Sequence, residues 1–341
     1  MKKLKFFDKI LWFFNRILAV VLLSSYILPF LPPKTFSVLS VLSLGVALLI
    51  LINVVFVLYW LIKLKKQFIL SLVVLAIGYF SFGSLYKFTS SKQEQSATSF
   101  KVMNYNVRLF NLYNWIPKDG IEASIEDFIK TEAPDILGLQ EYHPHEHIDL
   151  SFFKYKYEKL LGKNTKFGQA IFSNFPIVNS GSIEFPETSN NAIFVDIIMH
   201  SDTVRVYNIH LESMRIDTKV ESLKKENSER LFKRVGSTFK MQQFQTELFL
   251  MHKQQCPYKM VICGDFNNTA FSYVYHKIKG DLNDTFKEAG NGFGRTYDFK
   301  FFPIRIDFIL SDKAFDVKSY TTYNERYSDH YPIMATLDVS N

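Results

Sequence analysis

The chain has 341 residues, enough for one large domain or two ordinary ones. Its formal charge of +7 averages two unlike parts: residues 1–92 carry eleven Lys/Arg and one acid, Asp8, for +10, whereas residues 93–341 carry 29 Lys/Arg and 32 acids, for −3. The basic balance therefore belongs to the N-terminal part, and the remainder lacks the strong positive charge of a dedicated nucleic-acid binder, leaving at most a local basic groove.

Three apolar runs fill the first part, at about residues 10–31, 36–62 and 68–86. Each is near the ~20 residues that a helix needs to cross a bilayer. Asn15, Arg16 and Asn53 are the only strongly polar side chains inside them, so the polar faces of a soluble bundle are missing. Arg16 lies near a run's end and can snorkel. The reading is a membrane anchor of residues 1–88 with three transmembrane helices. No small-x-small site follows the first run, which argues against a cleaved signal peptide. Lys2, Lys3, Lys5 and Lys9 precede the first run, and Lys63, Lys65 and Lys66 separate the second from the third. The intervening loop holds only Lys34. The positive-inside rule then puts the N-terminus in the cytoplasm and everything after Tyr86 on the extracytoplasmic side of the cell (inner) membrane. Trp12, Tyr59, Trp60 and Tyr86 near the run ends suit the bilayer interface.

Residues 89–99 are polar without apolar periodicity and read as a linker. From residue 100 the pattern changes to short apolar runs separated by helical stretches. Strands are predicted at 101–107, 136–140, 170–173, 192–199, 204–210, 260–263, 306–310 and 333–339. Helices are predicted at 121–131 and near 229–252. Many strands with few helices between them predict an α/β layered sandwich with mixed sheets over residues 100–341. Residues 213–225 are polar and long for a loop. The two cysteines, Cys256 and Cys263, are read as free thiols. A bridge across so short an extended stretch is geometrically poor, and Cys263 sits in the apolar run "MVIC".

Several predicted strands end in polar residues that packing does not require. "NYNVR" holds Asn106 and Arg108, "LGLQE" ends in Glu141, and "YNIHLES" holds His210. "ICGDFNN" presents Asp265 and Asn267, "RIDFIL" plants Asp307 in an apolar run, and "YSDHYPI" supplies Asp329 and His330. One such motif alone reads as a turn or cap, since turns favour Asp, Asn and Gly. Six at strand termini point to a site, because α/β folds gather their sites at such ends. Acids and amides are hard oxygen ligands suited to Mg²⁺, and two histidines add hydrogen-bond donors or proton carriers. The inventory suits metal-assisted attack of water on a phosphate ester.

In this order the motifs resemble the endonuclease/exonuclease/phosphatase superfamily, whose members include deoxyribonuclease I, abasic-site endonucleases, inositol polyphosphate phosphatases and neutral sphingomyelinases. The resemblance runs from Phe100 to about Val339. It implies a four-layer sandwich of two mixed β-sheets flanked by helices. It also implies a Mg²⁺ site, with Mn²⁺ as the alternative ion, held by Glu141 with Asn106 and by Asp329 as a further ligand. Asp265 would orient and deprotonate the attacking water, Asn267 and His210 would donate to phosphate oxygens, and Asp307 would hold His330. Arg108 stands where abasic-site endonucleases carry an acid, and would contact a substrate phosphate. Gln169 stands where deoxyribonuclease I-like members can offer a Glu to the first histidine.

His143, His145 and His147 in "EYHPHEH" lack a fourth ligand for zinc and read as a solvated loop. The glycines of "AGNGFGRTY" lack a strand-to-helix context and read as a turn, and Lys224 and Lys225 read as a solvated face. The leading function is a metal-dependent phosphodiesterase, nuclease-like by its motifs. A phospholipid or sphingomyelin phosphodiesterase at the membrane surface is the alternative. A non-catalytic tethered binding module is the reading from another class, and an intact residue set argues against it. A transporter is disfavoured, because the runs hold no charge at mid-depth. The expected partners are a phosphate-ester substrate, nucleic acid or lipid headgroup, and the bilayer itself; no protein partner is expected.

Overall fold

Leu-, Val- and Phe-rich runs have few alternatives to helix when their backbone polar groups must be satisfied internally. In the computed structural model, which describes residues 4–83, 85–88, 96, 98–162, 165–199, 201–215, 228–300 and 302–339, the N-terminal part is helical. Its helices are α1 (Phe6–Ser25), α2 (Pro33–Val41), α3 (Val46–Ile62) and α4 (Phe68–Phe82). Two apolar stretches, Phe6–Phe30 and Pro33–Ile62, are long enough to cross a bilayer, a test that a signal sequence or a buried core helix also passes. The third run departs from expectation. Gly83, at φ +80°, ends α4 after 15 residues, a length of ~22 Å against a hydrocarbon core of ~30 Å. Strand β1 (Lys87–Phe88) follows just beyond the run's end.

The helices are tied by side-chain hydrogen bonds. Asn15 Nδ2 donates to Ser71 Oγ at 2.6 Å, Ser71 Oγ donates to Asn53 Oδ1 at 2.9 Å, and Trp60 Nε1 donates to Asn15 Oδ1 at 2.9 Å. The two asparagines inside the apolar runs therefore bind helix to helix. Outward faces stay apolar and exposed, Phe80 at 84% and Val55 at 63% among them. Lys63 meets Asp8 at 2.8 Å at one end of the bundle. At the other end Tyr26 Oη donates to the Val74 carbonyl at 3.0 Å, and the Phe30 and Phe82 rings lie 6.2 Å apart.

The remaining strands are β2 (Phe100–Asn106), β3 (Ile136–Tyr142), β4 (Tyr155–Leu161), β5 (Phe167–Ser173), β6 (Ile177–Glu184), β7 (Asn191–Met199), β8 (Asp202–His210), β9 (Lys259–Asp265), β10 (Asn283–Asp284), β11 (Asn291–Gly292), β12 (Asp307–Ser311), β13 (Phe315–Thr322) and β14 (Ile333–Val339). They form two six-stranded sheets, ordered β13-β14-β2-β3-β5-β4 and β10-β12-β9-β8-β7-β6, and β1 pairs with β11. Each large sheet holds one parallel pair, β2 with β3 and β8 with β9, flanked by antiparallel neighbours. Val102, Ile171, Val195, Val206, Val261 and Ala335 fill the space between the sheets. Helix α5 (Ile121–Glu132) covers the outer face of the first sheet through Ile121, Ile125 and Ile129. Helices α6 (Ser228–Lys253) and α7 (Tyr273–Lys279) cover the second through Phe249, Tyr275 and Ile278. The result is the expected sandwich of two mixed sheets flanked by helices. A short helix, α8 (Thr285–Ala289), closes one end.

The N-terminal helices rest on this sandwich. Helix α2 lies against α6, where Lys34 N donates to Gln243 Oε1 at 2.7 Å and Lys34 pairs with Glu247. The Phe30 ring sits 4.6 Å from that of His276 on α7. Most of the expected linker at 89–99, and residues 216–225 of the polar stretch with Lys224 and Lys225, lie outside the described residues. Ser96 Oγ, at the linker's end, donates to Asp338 Oδ2 at 2.6 Å. Both cysteines are free thiols, and burial pushes that of Cys263 up to about 12.

Candidate active site

Sheet register assembles the site. Asn106 pairs with Gln140 across β2 and β3, so the next residue, Glu141, stands beside Asn106. His210 pairs with Asp265 across β8 and β9, and Asp265 pairs with Asp307, the first residue of β12. Each polar ending lies one step beyond the apolar pairs that set its register. His330 precedes β14, whose Ile333 pairs with Asn104. All the sequence-predicted site residues thus come to one rim of the sandwich.

Local backbone aims them. Between Leu139 and Tyr142 the register of β3 against β5 shifts, and Glu141 adopts φ +47° in that bulge. Bulges re-aim side chains, and a left-handed conformation is uncommon for a non-glycine residue. Asn267 and Arg108 share that conformation, at φ +48° and +43°. Gly264 lies so close to β8 that a Cβ there would stand 2.1 Å from the Ile209 carbonyl, so only glycine fits before Asp265.

Asp265 Oδ2 is the hub. It accepts from Asn106 Nδ2 at 3.1 Å and from Asn267 Nδ2 at 3.2 Å, while Oδ1 accepts from the Asn267 backbone N–H at 2.8 Å. His210 Nε2 and His330 Nε2 flank Oδ2 at 3.7 and 3.6 Å. His330 Nδ1 lies 2.9 Å from Asp307 Oδ2, and Asp307 Oδ1, buried, has no hydrogen-bond partner among the described residues. Asn106 Nδ2 also donates to Glu141 Oε1 at 3.3 Å. Arg108 Nη1 pairs with Asp329 Oδ2 at 3.2 Å.

Burial raises the Asp265 pKa well above the carboxylate range, with the Asp307 charge adding to it and the His330 charge opposing it. Burial also opposes the charge of His330, but the Asp307 and Asp265 carboxylates outweigh it and hold the His330 pKa well above the usual imidazole value. Burial, with the charge of His330, lowers the His210 pKa to about 3, so His210 is neutral at physiological pH. Burial and the charge of Asp329 raise the Glu141 pKa. Two like-charged carboxylates on one rim favour a cation between them.

Asp265, Asp307 and His330 each offer a ligand atom within 4.8 Å of the others and could hold a metal ion. Gln169 donates to Asn191 Oδ1 at 2.6 Å, and no hydrogen bond links it to His210 among the described residues. His143, His145 and His147 form a loop with rings 6.4 and 5.4 Å apart and belong to no metal-ligand cluster among the described residues. Gly292 and Gly294 adopt φ +71° and +60°, as a turn requires.

Further residues surround the site. The Trp115 ring lies 4.6 Å from the Arg108 guanidinium. The Tyr297 ring lies 5.0 Å from that of His330. Ser328 Oγ donates to the Asn106 carbonyl at 2.8 Å and accepts from the His330 backbone N–H at 3.2 Å. Beneath the rim Gln140 Nε2 donates to Asn104 Oδ1 at 2.8 Å, and Asn208 Nδ2 donates to the Leu139 carbonyl at 2.8 Å, so buried amides join the sheets. Polar residues at predicted strand ends were the signal for Asn104 and Ser328; nothing local marks Trp115 or Tyr297.

A family model described as Endonuclease/Exonuclease/phosphatase family matches residues 103–330. The chain belongs to that family. Family members are generally phosphoesterases that use divalent metal ions. A second model, described as a domain of unknown function (DUF8431), matches residues 8–85. Among solved structures, an endonuclease/exonuclease/phosphatase from Beutenbergia cavernae DSM 12333 superposes with a TM-score of 0.54 at 18% identity, covering 72% of this chain and 72% of that one. An endonuclease/exonuclease/phosphatase family protein from Bacteroides thetaiotaomicron gives 0.54 at 18%, covering 72% and 100%. The human Nocturnin catalytic domain with bound sulfate anion gives 0.51 at 19%, covering 73% and 96%. At these identities the likeness speaks for the fold. No curated protein matches the chain.

Proposed function

We propose that this family member is a membrane-anchored phosphodiesterase that uses a divalent cation, Mg²⁺ or Mn²⁺, to hydrolyse a phosphate ester with water. The observation that carries it is Asp265 Oδ2, buried and held by two amides between two histidines. Glu141, Asn106 and Asp329 would hold the cation, because they are hard oxygen donors and the crowding of Glu141 by Asp329 is relieved by positive charge. Asp265, Asp307 and His330 suit a metal less well, since an imidazolium between two carboxylates already supplies their positive charge.

When bound, the cation supplies charge neutralisation for the phosphate oxygens. Asp265, its basicity raised by burial, orients the water and takes its proton. Water oxygen bonds to phosphorus, one P–O ester bond breaks, and the leaving oxygen takes a proton, giving a phosphomonoester and an alcohol. Asn267 Nδ2 and neutral His210 donate to phosphate oxygens as charge grows there. Asp307 keeps His330 charged and oriented beside the same oxygens, and Arg108 faces a substrate phosphate. The full chain in detergent, given Mg²⁺ and a bis(aryl) phosphodiester, should release phenol and stop in EDTA. Glu141→Ala should lose the reaction; full activity of either the variant or the wild type in EDTA sinks the mechanism.

The same reading places the catalytic domain outside the cytoplasm, with α4, though short, making the third crossing from the Lys63 end to Phe82 beside Phe30. Lys63 and Asp8 meet at the end of the bundle remote from the sandwich, while Phe30 and Lys34 at the other end touch α7 and α6. The lysine-rich segments and the domain are thus at opposite ends, as the positive-inside rule requires of an external domain. Protease added to intact cells, with any outer membrane opened, should cut near residues 89–99. A C-terminal reporter active only in the cytoplasm overturns this orientation and leaves the chemistry untouched.

A further inference from the structure

The catalytic rim opens into a cleft of about 520 Å³ whose floor holds Glu141, Asp265, Asn267 and His330. Its walls are largely apolar, with Leu44, Gly45, Met214, Phe299, Phe302 and Ile304, and Arg215 is the cation among them. Leu44 and Gly45 belong to the N-terminal membrane segment, in the turn that links α2 to α3. Their neighbours Leu42 and Leu48 point outward with 51% and 49% of their surface exposed. One turn of chain therefore presents an apolar face to the surroundings and another to the catalytic cleft. Across Glu141 lies a second pocket of about 280 Å³ lined by polar groups that include Gln169, Asn190, Asn191, His210 and Glu212. Glu141 is common to both spaces.

Resting on the phosphodiesterase reading, the geometry points to an amphiphilic substrate, a lipid phosphodiester drawn from the leaflet beside the anchor. Its phosphate sits at Glu141 and Asp265, its polar substituent fills the Asn190–Asn191 pocket, and its hydrocarbon chain runs along Leu44 and Phe302 toward the bilayer. A cleft of this size holds a drug-sized ligand, so it takes the first part of the chain and leaves the rest in the membrane. The apolar wall lets a chain leave the leaflet without meeting water, which favours a substrate with a long hydrocarbon chain over one without. A polynucleotide has no apolar tail for this wall, and the −3 charge of residues 93–341 gives its backbone little attraction beyond what Arg108 and Arg215 supply at the site.

The test compares two diesters with one leaving group, methyl p-nitrophenyl phosphate and hexadecyl p-nitrophenyl phosphate, on the full chain in mixed micelles with Mg²⁺. A single-stranded oligonucleotide is the third substrate. Wild type should prefer the hexadecyl ester by more than tenfold in kcat/KM. Gly45 lines the cleft and a Cβ on it meets no atom within 4 Å, so the position accepts a side chain and Gly45→Phe is the variant chosen to fill the cleft there. It should cut the hexadecyl-to-methyl ratio at least fivefold, and Gly45→Ala should restore most of it. Equal kcat/KM for the two esters, an unchanged ratio in Gly45→Phe, or faster cleavage of the oligonucleotide overturns the lipid assignment while the phosphodiesterase reading stands. No cleavage of any of the three removes that reading and the lipid assignment with it.

Discussion

Two clusters of buried polar side chains show how differently a protein treats polarity. Among the N-terminal helices Trp60, Asn15, Ser71 and Asn53 hydrogen-bond in a chain, and none of the four has a buried polar atom without a partner among the described residues. At the catalytic rim Asp265, Asp307, His210 and His330 crowd within a few ångströms. Asp307 Oδ1 and, just beneath, Asn104 Nδ2 and Gln140 Oε1 have no hydrogen-bond partner among the described residues, and Glu141 and Asn267 take left-handed backbone. The first arrangement minimises free energy locally. The second carries costs of ~1–3 kcal/mol for each such conformation, which a site retains when they position its chemistry.

The contrast is testable by substitution, and Asp265 should give the largest effect. Asp265→Asn should lower kcat on a phosphodiester by about 10³-fold, while the thermal midpoint in detergent holds or rises because a buried charge is removed. A lower midpoint with intact kcat would make Asp265 structural. The buried Asp284–Arg305 pair, at 2.8 Å, should behave oppositely. Asp284→Asn leaves Arg305 unpaired and should cost about 3–5 kcal/mol of stability with little change in kcat. Burial raises the Asp284 pKa, but the Arg305 charge outweighs it, so the pKa lies below the ordinary value of 3.8. Its stabilisation is complete above the unfolded carboxylate pKa and is lost as pH falls through the lower folded one. Below about pH 4 the wild-type midpoint should therefore fall toward that of Asp284→Asn.

Removing the anchor sharpens the comparison. Residues 95–341 should fold alone and cleave the methyl ester, yet lose the preference for the hexadecyl ester, since Leu44 and Gly45 are gone. Only aggregate from that fragment, with the full chain folded in detergent, would make the α2–α6 contact essential to the domain. The smallest effect belongs to the anchor's own cluster. Asn15→Leu should cost about 1 kcal/mol in detergent unfolding, because interhelical hydrogen bonds in membranes are worth little more, and should leave kcat unchanged.

Legibility in the sequence followed burial. All eight predicted strands exist, and both predicted helices exist within a residue or so of their expected ends. The missed long strands are β4, β6 and β13, and each is at or beside a sheet edge. Their residues are largely exposed or half-buried, as in "YKYEKLL" and "IVNSGSIE", so they carry polar side chains that blunt an edge and erase the apolar signal. The third apolar run misled because composition does not register where a helix stops, and Gly83 stops it.

Composition and pattern alone determined the α/β class and marked the polar ends of the apolar strands. Hydrophobic periodicity and the polar ends of apolar strands are local properties that each segment carries by itself. Only the tertiary structure decided that His210, Asp265, Asp307 and His330 share one hub, that Asn15 and Asn53 bind helices together, and that Leu44 walls the catalytic cleft. Those arrangements join segments as far apart as 286 positions, since Leu44 and His330 line one cleft. Sheet register and helix docking set them, and no window along the chain contains both partners.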